Sequence, residues 1–349
     1  MKRNTEKKLG DQVKEHSQKP AEKTKKLEGN IERMTSTGST LLDLAISGGR
    51  VRGGGLPSGI LVEIFGPSGS GKTVLLSELA GATERRKDDI MFCDPEARFD
   101  KEFAKIFGFS LKSKNYHTPD TVNELFDAVR KWEPASNNKK PVHGIFADSL
   151  AALSTELEMG KDEGDKMGMK RAKDFSEQLR KTCRILKERD FLMVCSNQIR
   201  VNTDQGGITV ISPGGMAPGF YASVRLRTFS PTKIKLIKTI HGKEVTRIIG
   251  ITVPIEVFKN SVWEPYRKVN VSILFKYGID DLRQNLQFIK DHTSYKTYTL
   301  GGESVGKSME LAIKFIEEEN LEEELKNEVI DLWHIIEEKF LIPRKLKQR

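Results

Sequence analysis

The sequence predicts an α/β protein built on a mostly parallel, doubly wound sheet with an antiparallel extension, followed by a small α+β module. Three observations predict it. Dense apolar runs of strand length alternate with helical patterns through the first half of the chain, as parallel strands with crossover helices require. Later strand-like runs are joined by short connections, which suits antiparallel pairing. After about Tyr277 the texture changes again and closes on one amphipathic helical stretch.

Taken in order, residues 1–34 form a basic arm. Nine Lys/Arg stand against five Asp/Glu in residues 1–30, and the first clear apolar pair is Leu9 and Val13. A core is expected over 35–276. It begins with "STGSTLLDLAISGG", a short helix that Ser39 or Thr40 can cap and Gly48 and Gly49 end. "GGGLPSG" then turns the chain into the strand "GILVEIF". Further strands are read at "IMFCD", "HGIFAD", "FLMVCSN", "ASVRLRTF", "RIIGITVPIEVF" and "KVNVSILF", with helices at "TVNELFDAVRKW" and "AKDFSEQLRKTCRILKER". The module, 277–349, ends in a helix on which Leu321, Leu325, Leu332, Ile336 and Phe340 share a face.

The net charge of +9 over 349 residues favours an anionic partner such as nucleic acid. Cys93, Cys183 and Cys195 have no CxxC spacing and read as structural; two of them sit in apolar strand-like runs, where Cys acts as a small hydrophobe in a reducing compartment. The lysine-bearing N-terminus has no apolar stretch behind it, and no run approaches the length of a membrane span. A cytoplasmic protein with no membrane partner is expected.

The pattern G-x-x-x-x-G-K-[ST] occurs twice, as "GPSGSGKT" at 66–73 and "GGESVGKS" at 301–308. Such a loop cradles phosphates only where backbone N–H groups converge at a helix start after a buried strand. The first copy has that strand before it and the helical "VLLSELAGA" after it. The second follows the polar "SYKTYTL", with only about forty residues left to supply a second acidic strand, and reads as a mimic.

Within the first loop, Gly66, Gly69 and Gly71 admit the phosphates, Lys72 neutralises the β/γ oxygens and Thr73 offers a hydroxyl to Mg²⁺. Pro67, Ser68, Ser70 and Val74 complete the ATP-binding stretch. "GIFAD" ends in Asp148 at the carboxyl edge of the sheet, where it can hold the metal's water shell or cap the helical turn that follows. "IMFC" delivers Asp94 and Glu96 to the same edge, either of which can polarise an attacking water. A third strand ends in Asn197 and Gln198, neutral amides suited to sensing a γ-phosphate.

In this order and at these separations, "STGSTLLDLAISGG", "GPSGSGKT", "DPEARFD", "ADSLAAL", "SNQIR" and "GGMAPGFYASVRL" resemble the RecA recombinases over roughly residues 35–340. The resemblance implies a RecA-like P-loop ATPase that uses ATP and Mg²⁺, forms a helical filament of its own copies on single-stranded DNA, and pairs that strand with a homologous duplex. It makes Glu96 the catalytic base, Asp148 the metal-side acid and Gln198 the γ-phosphate sensor. Asp100 and Phe103 fall where the family contacts and stacks on adenine. Lys259 falls where a cation reaches the neighbouring subunit's ATP, with Ser261 replacing the second lysine of the bacterial pattern.

Two loops are expected to meet DNA. "EMGKDEGDKMGMKRAK" carries Lys170, Arg171 and Lys173, and the resemblance adds Arg180. The segment Asn202 to Gly219 has eighteen residues and no lysine or arginine. It is expected to hold a strand through backbone N–H groups, including those of Gly214 and Gly215, and to insert Ile208, Val210 or Ile211 between bases, with Arg200 just before it. Two further departures from the family pattern stand out: the N-terminal arm has little apolar face, and the C-terminal "PRKLKQR" is basic. A DNA-binding ATPase without strand exchange and a hexameric motor of the same fold are the alternatives.

Overall fold

The computed structural model describes residues 33–136, 138, 141–155, 167–202, 209–211 and 216–344, and at 167–170, 200–202 and 209–211 it describes the backbone alone. All but the last two residues of the expected arm lie outside that description. One compact unit runs to Asp280 and a second begins at Asp281.

The first unit opens with β1 (Met34–Thr35), paired antiparallel with β2 (Leu56–Pro57), and between them α1 (Thr40–Ser47) is buried along its whole length. Ser39 caps α1 by accepting the Leu42 amide, and Gly48 ends it at φ 61°. Five parallel strands follow: β3 (Ile60–Gly66), β4 (Ile90–Cys93), β5 (Tyr116–His117), β6 (His143–Ala147) and β7 (Phe191–Gln198). They lie in the order β3-β7-β6-β4-β5. The short strands β8 (Arg200–Asn202) and β9 (Thr209–Ile211) pair antiparallel with each other. On the other side of β3, β10 (Val224–Thr228) adds in parallel. The sheet then turns antiparallel through β11 (Thr232–Ile240), β12 (Lys243–Asn260), β13 (Lys268–Leu274) and β14 (Gly278–Ile279). Ten strands therefore make one sheet among the described residues, parallel on one side and antiparallel on the other, as the sequence predicts.

Five helices attend it: α2 (Lys72–Arg85), α3 (Lys101–Ile106), α4 (Val122–Lys131), α5 (Met167–Glu188) and α6 (Ala217–Tyr221). Leu125, Phe126 and Val129 of α4 and Phe175, Leu179 and Leu186 of α5 bury one face with Met91, Ile145 and Met193. Strand alternation sends Gly144 and Phe146 to the opposite face, where Thr83 of α2 meets them. Helices on both faces make the sheet doubly wound. Cys93 and Cys195 are buried in it, and burial pushes the Cys93 thiol up to about 12, out of reactive range at neutral pH.

The second unit contains α7 (Asp281–His292), the hairpin β15 (Tyr298–Leu300) and β16 (Glu303–Gly306), α8 (Met309–Glu318) and α9 (Glu322–Lys339). Leu286, Ile289, Ala312, Ile316, Leu325 and Leu332 are among its buried apolar residues. Phe340, expected on the buried stripe, instead sits at the helix end and is 75% exposed. Among the described residues no helix is long and apolar enough to cross a membrane.

Three readings of the sequence are corrected. The run "RIIGITVPIEVF" is part of an eighteen-residue β12 whose first half forms a two-stranded ribbon with β11, a strand the sequence reading omitted. Helix α5 begins at Met167, five residues before the expected run, so Lys170 and Arg171, read in a loop, stand on the same helix as Lys173 and Arg180. The second loop is interrupted by the β8–β9 pair and ends where α6 begins at Ala217, although Ile208, Gly214 and Gly215 lie outside the described residues.

Candidate nucleotide and DNA site

The glycine loop leaves β3 and enters α2 directly, so the backbone N–H groups of the first helical turn open on the end of a buried strand. Gly71 stands at the cap position with φ 75°, and a Cβ there would lie 2.4 Å from Ile273 Cδ1. The left-handed conformation favours glycine, and a Cβ would also have to displace the Ile273 methyl. Ser70 is buried and donates to the Pro67 carbonyl at 2.7 Å, so it braces the loop rather than facing a ligand. Lys72 is also buried, with its ammonium on the Gly66 and Pro67 carbonyls at 3.1 and 2.8 Å.

Parallel pairing carries the acids to the same edge. Asp148 leaves the end of β6, and its amide bonds to the Cys93 carbonyl of β4 at 3.0 Å. Thr73 donates its hydroxyl to Asp148 Oδ2 at 2.5 Å, while Ser196 of β7 donates to Oδ1. A hydroxyl and a carboxylate side by side are hard oxygen donors of the kind Mg²⁺ takes, so these residues fit that ion. Burial pushes the Asp148 carboxyl up, aided by Glu96 and Asp94 and opposed by the two hydroxyl bonds. Burial also pulls the Lys72 ammonium down, against Asp148 and Glu96. Both shifts favour discharge, so each group gains from a counter-charge brought into the cleft.

The two candidate bases differ in their surroundings. Asp94 is buried, and its Oδ2 accepts both the Phe99 amide and the Tyr116 hydroxyl at 2.8 Å. Glu96 is half-buried, taking Ser149 Oγ on one oxygen at 3.0 Å and Arg98 on the other at 3.2 Å. Gln198 is exposed at the end of β7, in register with Gly66. Asn197 turns the other way and donates to buried Glu63 at 3.0 Å, which takes it out of reach of a phosphate.

Loop, acids and Gln198 line one cleft of about 510 Å³. Its far wall is Ile251, Ile273 and Phe275 from the antiparallel strands, residues the sequence reading missed because nothing local marks them. A smaller apolar hollow of about 170 Å³ shares Val74, Ile273 and Phe275 with the cleft and is walled by Phe103, which gives a planar base somewhere to lie. Asp100 is instead the exposed cap of α3, accepting the Glu102 amide at 2.9 Å.

The remaining candidates are scattered. Lys259 is the penultimate residue of β12 and donates to the Gly219 and Phe220 carbonyls at 3.1 and 2.8 Å. Arg171, expected among the DNA cations, donates from Nη2 to the Ala151 and Leu150 carbonyls at 2.7 and 3.3 Å and so anchors the start of α5. Lys173 and Arg180 are exposed on α5. Of Lys170, Arg200, Val210 and Ile211 only the backbone is described. The second motif copy takes a different shape: Gly301 and Gly302, at φ 59° and 85°, turn the β15–β16 hairpin, and Ser308 caps α8. Its residues form a turn and a strand where a phosphate loop is needed.

A loop that closes on a helix start, with an acid arriving from two strands away, places the first unit among the P-loop nucleotide-binding folds. Comparison with known proteins narrows the class. The RecA N-terminal domain family matches residues 6–280. The chain is 32% identical over 315 residues to the RecA protein of Treponema denticola, covering 86% of this chain and 71% of that protein. It is 31% identical to the RecA proteins of Colwellia psychrerythraea, over 81% of this chain and 79% of that one, and of Delftia acidovorans, over 86% and 78%. The chain belongs to the RecA family.

Proposed function

We propose that this protein is an ATP-dependent recombinase of the cytoplasm, which assembles as a filament on single-stranded DNA and pairs it with a homologous duplex. The observation that carries the reading is the convergence of Lys72, Thr73, Asp148, Glu96 and Gln198 on one cleft in a chain of this family. Lys72 offsets charge on the β/γ oxygens of ATP, and Thr73 and Asp148 hold Mg²⁺. When bound, that ion neutralises phosphate oxygens and fixes their orientation. Glu96 takes the proton of the attacking water, being more open to solvent than buried Asp94, and Gln198 reports the γ-phosphate to the segment that follows β7. Phe103 and the hollow beside it seat the base.

Lys170, Lys173, Arg180 and Arg200 supply cations to the DNA, while the segment after Asn202 supplies backbone amides and apolar wedges. Lys259 reaches the nucleotide of the next subunit, because head-to-tail packing sets one copy's surface over another's cleft. Electron microscopy with single-stranded DNA, Mg²⁺ and an unhydrolysed ATP analogue tests the reading. Nucleotide-dependent helical filaments are expected; closed rings, or no assembly together with no ATPase stimulation by DNA, overturn it.

A further inference from the structure

We propose that Arg98 is a phosphate-contacting residue of this cleft, shared between Glu96 and the terminal phosphate of a nucleoside triphosphate; the proposal rests on the nucleotide reading above. Of the residues lining the cleft, Lys72 and Arg98 are the cations, against the carboxylates Asp94, Glu96 and Asp148. Lys72 is buried under its own loop. The Arg98 side chain is 82% exposed, and its ion pair with Glu96 at 3.2 Å is of the solvated kind that contributes little and exchanges readily. One N–H of the guanidinium fork rests on Glu96, which leaves further donors in the same plane for a phosphate oxygen.

The backbone holds Arg98 at that place. Asp94 accepts the Ala97 amide on its carbonyl at 3.1 Å and the Phe99 amide on Oδ2 at 2.8 Å, closing the turn 94–99 from both sides. Ala97 takes a left-handed φ of 52°, and the Phe99 ring packs 4.5 Å from buried Phe92. Residue 98 is thus fixed between a strained turn and a core anchor, and residues 96 and 98 both face the cleft.

This arrangement makes two events one. Ser149 holds one Glu96 oxygen and Arg98 the other. A terminal phosphate competes for the guanidinium, and its success leaves the second Glu96 oxygen open to a water proton. A diphosphate lacks that terminal phosphate and so does not bring this competitor. The base is therefore released by the phosphate that its water attacks, and an arginine supplied in cis meets the charge of transfer.

The test is affinity for Mg·ADP against an unhydrolysed Mg·ATP analogue, with kcat alongside, in the full-length protein and in Arg98→Ala and Arg98→Lys. Arg98→Ala is expected to weaken the triphosphate analogue by about tenfold, the scale of one charge-assisted hydrogen bond, and to leave ADP within about twofold. Arg98→Lys recovers part of the difference. Equal loss for both nucleotides, as a collapsed turn gives, overturns the proposal, and so does loss for neither. A parent protein that binds neither nucleotide overturns the ATP reading and this one with it; a parent that binds both, with Arg98→Ala unchanged, overturns this one alone.

Discussion

Two carboxylates leave β4 within three residues of each other, and their neighbours separate them. Asp94 is committed to an amide and a phenol, and burial, with Asp94 beside it, pushes the Tyr116 hydroxyl up to about 12, so it stays a donor at neutral pH. Glu96→Gln is accordingly expected to slow hydrolysis by about 10²–10⁴-fold while nucleotide affinity holds, the range for loss of a general base. Steady-state rates beside equilibrium titrations check it; the same pattern in Asp94→Asn with the fold intact moves the base to Asp94. His143 shows a residue-scale effect on stability. Its ring is buried against Trp132 and Phe191, Nδ1 accepts the Asp89 amide at 3.1 Å, and burial pulls its pKa below 6.5 despite Asp89 and Asp88. The unfolded chain then binds more protons than the folded one, so stability present above about 6.5 falls as pH drops below it. Denaturant midpoints measured down the acid range should show that slope, and His143→Leu should flatten it while lowering the plateau. An unchanged slope assigns the acid sensitivity to carboxylates instead.

At the scale of elements, the two copies of one motif separate cleanly. Lys72→Ala is expected to abolish ATP hydrolysis and Lys307→Ala to leave it near the parent rate, because residues 301–306 are hairpin and the first copy alone joins a buried strand to a helix. A rate lost with Lys307, the fold being intact, reverses that assignment. Helix α2 offers a test in which local and tertiary preferences oppose each other. Gly81 lies inside it, and alanine there gains about 1 kcal/mol of helix propensity. A Cβ would stand 1.9 Å from the Phe107 carbonyl oxygen, however, and overpacking of that kind costs about 1–3 kcal/mol. Gly81→Ala should therefore lower the melting temperature; a rise would show that the 107 turn yields. The long elements were legible because composition and period agreed in them: "GILVEIF", "FLMVCSN" and the α4 pattern stand where the sequence put them, and α5 covers its expected run but starts five residues earlier. Legibility failed where packing, not pattern, decides. "KEFAKI" is too short for a periodic signal, β5 and β14 have two residues each, and β11 alternates lysine with isoleucine while remaining largely exposed. The loop and acid side of the cleft was readable from strand ends, whereas the wall of Ile251, Ile273 and Phe275 arrives from strands about two hundred residues away.

Across the whole sheet, the ends of the strand order are β14 and β5, two residues apiece. Stubs of that length give a passing strand almost nothing to pair with. The ribbon is different: β11 runs nine residues, pairs with β12 alone among the described strands, and exposes Ile237 and Ile240 beside Ile248 of its partner. Stripped of charge, Thr232–Ile240 has the makings of an aggregating segment, being rich in isoleucine and free of proline and glycine. Lys233, Lys235 and Lys238 interrupt it, and like charges repel a second ribbon brought alongside. Replacing all three with threonine should keep the pairing and produce concentration-dependent light scattering in the free protein, while arginine at the same positions should not. A threonine variant as well dispersed as its parent would remove this role from the lysines. For a chain proposed to work by joining its own copies in one way, that charged rim carries a second meaning: it closes off an easy wrong way of joining them.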